Sequence, residues 1–147
     1  MTRIAHAYER NGEWYFQPSS MATTGLWIAT PPLVQVNSYD SRQRKGEAAL
    51  EVLNASQQGI PLPEDTRSVI VPLLTKAGAR SWTEFVKKDK CVGLELEGDK
   101  LTLMPHRKFP RSKDALEGIT EQAVVLAANA SPEEVGAALE EAFARCQ

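Results

Sequence analysis

Two cysteines in 147 residues, Cys91 and Cys146, are too few for a disulfide framework, and neither lies in a metal-ligand spacing. Free thiols in a reducing compartment are the expectation. Histidine is as scarce, with His6 and His106 alone. The chain has no G-x-S-x-G, C-x-x-C, H-E-x-x-H or phosphate-loop motif. A catalytic triad would need an activated nucleophile and an orienting acid around one of the histidines, and no such pattern is present. No catalytic residue, metal ligand or cofactor motif is therefore assigned, and a small enzyme built on His106 is the weakest reading. An excess of one charge is missing too: the net charge of -2 lacks the basic surplus of a dedicated nucleic-acid binder. No apolar run approaches the length of a membrane span. The first residues, with Arg3, His6, Glu9 and Arg10, lack the apolar region of a signal peptide. A cytoplasmic protein with no membrane association is expected.

What is present is an α+β pattern of a size suited to one domain spanning residues 1–147. The most legible stretch runs from Ser81 to His106. Ser81 and Glu84 have the spacing of a capping box, and Trp82 and Phe85 share one face of the short helix that follows. Two alternating strands come next, with Gly98-Asp99 as their turn. That register sets Glu97 against Lys100, Leu96 against Leu101 and Leu94 against Leu103, with every leucine on one face.

Asn11-Gly12 marks a second hairpin nearer the N-terminus, with Tyr8 opposite Tyr15, Glu9 opposite Trp14 and His6 across from Gln17. Its aromatic residues read as core and cross-strand packing. Pro18 to Gly25 reads as a loop, and so does the basic stretch from Pro105 to Gly118. Helices are expected from Arg44 to Asn54, from Val69 to Ala77 and from Ser131 to Arg145. The last opens with Ser131 as N-cap, Pro132 at the first helical position and Glu134 two further on. One internal echo appears: strand, loop and helix from Val34 to Leu53 return from Val124 to Phe143, each helix carrying a glycine and an Ala-Leu pair. Together these predict a mixed, mainly antiparallel sheet of about six strands with three to four helices packed on one face.

Two charged sets are candidate surfaces. The acids Glu95, Glu97 and Asp99 fall on the polar face and tip of the second hairpin, with Asp114, Glu117 and Glu121 as a second group. Carboxylates on a rigid hairpin suit docking to a basic protein, because complementary charge speeds encounter and fixes register. The basic run Arg107, Lys108, Arg111 and Lys113, with Phe109 interleaved, has the composition of a small nucleic-acid patch, and a nucleic-acid-binding module using Arg107–Lys113 is the alternative.

From about Leu33 onward the chain resembles the contact-dependent growth inhibition (CDI) immunity proteins. The residues carrying the likeness are Gly46-Glu47-Ala48-Ala49-Leu50-Glu51, Pro72-Leu73-Leu74-Thr75-Lys76-Ala77-Gly78, Ser81-Trp82, the strand pair Val92–Leu96 and Lys100–Pro105, and Ser131-Pro132-Glu133-Glu134-Val135-Gly136. The resemblance implies a cytoplasmic, non-enzymatic protein, monomeric before it meets its partner and without a cofactor. That partner is the C-terminal toxin domain of a CDI effector, an RNase of possible ribonuclease A-like fold, neutralised by occlusion of its active site.

Overall fold

The computed structural model describes residues 1–108 and 116–147, with only the backbone at 66 and 67. The order is β1 (Arg3–Arg10), β2 (Glu13–Ala22), β3 (Trp27–Ala29), β4 (Val34–Asn37), α1 (Arg42–Asn54), β5 (Gln58–Ile60), a 3-10 turn (Thr66–Ile70), α2 (Val71–Ala77) and α3 (Trp82–Lys88). It continues with β6 (Lys90–Glu97), β7 (Lys100–Lys108), β8 (Leu116–Gly118), a 3-10 turn (Thr120–Gln122), β9 (Val124–Ala127) and α4 (Pro132–Ala144).

Turn chemistry sets both hairpins. Asn11, Gly12 and Gly98 take φ of 52°, 80° and 60°, and the strands close with the registers expected from sequence. β1 and β6 pair antiparallel at the centre, so the sheet reads β4-β2-β1-β6-β7-β9. β3 and β4 share the outer edge of β2, as β8 and β9 share that of β7. Among the described strands only β5 runs parallel to its neighbour, β2. Nine strands stand among the described residues, more than the six or so expected; β3 falls where Leu26-Trp27-Ile28 reads as a short apolar strand, whereas β5 and β8 hold three residues each, too few to show alternation.

Two expected loops are strand. β2 runs through Pro18 to Ala22, and β7 runs through Pro105 to Lys108. Each proline sits where its missing N–H costs no ladder bond. The Pro18 carbonyl accepts from Thr30 N–H at 2.9 Å and the Pro105 carbonyl from Ile119 N–H at 2.8 Å. Each ring nitrogen therefore points away from the central strands, to the side where one short edge strand gives way to the next.

The internal echo extends to the whole sheet. At a constant offset Arg10 matches Glu97, Glu13 matches Lys100, Tyr8 matches Glu95, Tyr15 matches Thr102 and Pro18 matches Pro105. At a nearly equal offset β4 matches β9, the N-cap Ser41 matches Ser131, and α1 matches α4. A pseudo-two-fold axis relates the halves and passes between His6 and Gly93, which face each other across β1 and β6.

Alternation on the strands then divides the core. Ala5, Ala7, Trp14, Phe16, Val92, Leu94, Leu101 and Leu103 face α1 and α4, which cross at Gly46 and Gly136. Not all helices lie on that face, contrary to the one-sided packing expected. Tyr8 and Tyr15 point to the other side, and Leu73 of α2 with Trp82 and Phe85 of α3 cover them. Trp82 and Phe85 thus belong to a separate cluster from the hairpin leucines. An apolar pair of tyrosines on the second face leaves surface to bury there, and the segment between the halves buries it.

The Ser81 capping box forms only in part. Ser81 Oγ accepts from Glu84 N–H at 3.1 Å. The Glu84 carboxylate instead accepts from Arg10 at 2.9 Å and from Arg80 N–H at 3.4 Å. A buried guanidinium outcompetes a backbone amide for that carboxylate.

Candidate functional site

The part of the second face that α2 and α3 leave bare lies over the pseudo-two-fold axis and β6–β7. Ile4 and His6 of β1, Gly93 and Glu95 of β6, and Thr102, Met104 and His106 of β7 surround a cavity of about 200 Å3 there. The small residue at the axis makes the room: a Cβ on Gly93 would stand 3.0 Å from His106 Cε1.

Both histidines wall this cavity. His6 Nδ1 meets Ser19 Oγ at 3.2 Å, and the ring lies 6.1 Å from Tyr8 and 6.4 Å from His106 between centroids. His106 Nδ1 donates to the Met104 carbonyl at 2.9 Å. Burial, with a smaller push from His106, lowers the His6 pKa to about 4, and burial also lowers that of His106. Both rings are neutral at pH 7. An unfolded histidine titrates near 6.5, so the folded state must give up its neutral His6 between pH 6.5 and about 4. The stability held above pH 6.5 should fall across that window by on the order of 3 kcal/mol. Denaturant unfolding of the wild type and His6→Asn between pH 4 and 7.5 measures it. The difference between the two should shrink as pH falls, and a constant difference would reject the assignment.

The acids expected from sequence divide into three places. Glu95 and Glu97 share the bare face beside the cavity, and burial first, then the neighbouring Glu97 carboxyl, raises the Glu95 pKa. Asp99 lies at the hairpin tip, exposed, its carbonyl accepting from Ala128 N–H at 2.9 Å. Glu117 accepts from Arg107 Nε at 2.7 Å. That pair is the next rung of the ladder after His106 and Gly118 and so projects from the opposite face. Glu121 lies on the 3-10 turn near Arg107, whose pKa both acids raise, Glu117 the more. Asp114 lies outside the described residues, as do Phe109, Arg111 and Lys113 of the basic run. Of that run's described members, Arg107 is already matched by Glu117, which weakens it as a phosphate contact.

Three groupings have no sequence signal, since each joins distant positions. Arg10 meets Glu84, Asp89 and the Ala77 carbonyl. Buried Lys45 lies 4.4 Å over the Trp14 ring and reaches Glu140 at 3.0 Å. A cleft of about 320 Å3, lined by Ile28, Pro31, Leu33, Pro61, Val69 and Pro72 among others, has no charged group among its described lining residues.

The chain matches the model of the CDI immunity protein family, CdiI, over residues 40–146. It belongs to that family. Two solved structures share the fold of this CdiI protein over its full length. One is a protein of unknown function from Neisseria meningitidis, with a TM-score of 0.80, 19% identity and 96% of that chain covered. The other is the CdiA-CT/CdiI toxin and immunity complex from Yersinia pseudotuberculosis, with a TM-score of 0.80, 18% identity and 98% of that chain covered. A comparison with curated proteins finds no match. The family match takes in α1 to α4 and so includes both helix-to-helix glycines, α3 and the β6–β7 hairpin. No helix among the described residues is long and apolar enough to cross a membrane.

Proposed function

We propose that this CdiI protein binds the C-terminal toxin domain of a CDI effector in the cytoplasm and neutralises it by covering its active site. Family membership over residues 40–146 carries the reading, and the fold shared with a toxin-bound immunity protein supports it. The toxin is an RNase, whose basic cleft would accept carboxylates in place of phosphates. Glu95, Glu97 and Asp99 are the first contacts, with Asp114, Glu117 and Glu121 secondary. The protein acts by stoichiometric binding, as a monomer before the toxin arrives. The Ser19–His6 contact does not argue for turnover, because among the described residues the His6 ring hydrogen-bonds to Ser19 and to no acid that could orient it.

A large secreted protein ending in a toxin-like domain, encoded just upstream, would support this, and co-expression with that domain tests it. Restored growth, intact RNA and an equimolar complex are expected. Growth arrest with RNA cleavage despite a folded immunity protein would overturn it. Cleavage of DNA rather than RNA in the unprotected cells would remove the RNase assignment and leave the immunity role standing.

A further inference from the structure

The pseudo-two-fold axis makes one half of the molecule a guide to the other. On β1–β2 the second face is occupied. Trp82 and Phe85 of α3 lie 6.3 and 5.1 Å from Tyr8 between ring centroids, and Tyr15 packs in the same cluster. Arg10 holds the α3 region through Glu84 at 2.9 Å and Asp89 at 3.0 Å. The equivalent positions on β6–β7 are Glu95 for Tyr8, Thr102 for Tyr15 and Glu97 for Arg10.

No described element covers them. Glu95 and Glu97 are exposed, and no lysine or arginine among the described residues lies within 4.0 Å of either. Between them and the axis is the cavity over Gly93 and Met104. The holding residue also changes sign. Arg10 receives two carboxylates, whereas Glu97, with Glu95 beside it, is suited to receive a cation.

We propose that a segment of the toxin docks on β6–β7 in the place that α3 takes on β1–β2. It sets a lysine or arginine against Glu95 and Glu97 and lays that side chain's aliphatic stem in the cavity, over Thr102 and Met104. A basic side chain suits such a site because its stem is apolar and its head charged. The two neutral imidazoles on the cavity wall add no repulsion at pH 7. This inference rests on the immunity reading above and adds the place and the chemistry of contact.

Calorimetric titration against the upstream-encoded toxin domain, carrying an inactivating substitution, tests it. Two variants act on separate parts of the site: Glu95→Gln/Glu97→Gln removes the charge, and Thr102→Trp fills the cavity mouth. Glu51→Gln, on the exposed side of α1, is the control. Thermal melting establishes that each variant is folded. Both site variants should bind at least about tenfold more weakly, the double carboxylate variant with a flatter dependence on salt, and the control should bind as wild type. If the wild type binds and protects cells while both folded site variants bind as tightly as it does, the docking site is overturned and the immunity reading stands. If the wild type forms no complex, both fall.

Discussion

Gly136→Ala is expected to destabilise the fold by about 3 kcal/mol or more, and Gly46→Ala by as much. A Cβ on Gly136 would lie 2.0 Å from the Arg42 carbonyl oxygen, and one on Gly46 would lie 1.7 Å from that of Pro132. Both obstacles are backbone, so no rotamer change can clear them. The helices would have to part, and with them the contacts that Val52, Leu53, Leu139 and Phe143 make between helix and sheet. Each residue is a glycine in a helix interior, where alanine alone would add about 1 kcal/mol of stability. The sign of the measured effect therefore decides between propensity and close approach. Because the two glycines serve one crossing, the double variant should cost less than the two single effects added, since the first methyl already separates the helices. Urea unfolding of the three variants measures all of this. A Gly136→Ala protein as stable as wild type would mean that the helices do not approach as described.

That crossing was half visible in the sequence. The repeated glycine and Ala-Leu pair in the two helices mark matching units. Which backbone the glycines approach cannot be read from them, because the contact joins α1 to α4 across most of the chain. The hairpins were legible to the residue, since Asn11-Gly12 and Gly98-Asp99 specify turns and alternation specifies faces. Pro18 and Pro105 were misread for a physical reason. Proline signals a break unless its ring nitrogen faces a gap in the edge, and only the tertiary pairing shows that gap. The candidate site divides along the same line. Glu95 and Glu97 were visible as the polar alternation of β6. The cavity beside them needs His6 and Gly93 brought together across the axis, a pairing between strands far apart in the sequence.

The second large effect is expected at Arg10, where a residue read from sequence as part of a simple strand holds α3 in place. Arg10→Met should cost about 3 kcal/mol. The guanidinium is 8% exposed and the Asp89 side chain 4%, and they meet at 3.0 Å. Removing the cation leaves Asp89 buried without its charge partner, and it also frees the Ala77 carbonyl that Arg10 Nε reaches at 3.2 Å. Burial already raises the Asp89 pKa, and the hydrogen bond and charge of Arg10 oppose that rise. Without Arg10 only the weaker pull of the Lys108 charge opposes the rise, so folding of the variant takes up a proton at Asp89. A carboxyl whose folded pKa lies above its unfolded value contributes stability that is present at low pH and lost as pH rises. The gap between Arg10→Met and wild type should therefore be narrower at pH 5 than at pH 7.5. Adding Asp89→Asn should recover part of the loss at pH 7.5, because it removes the stranded charge and keeps the side chain's size. Hydrogen exchange would place the damage, with protection lost in α3 before α1 and α4, whose packing lies on the other face of the sheet. Equal loss of protection in all three helices would show that Arg10 supports the whole fold rather than the docking of α3.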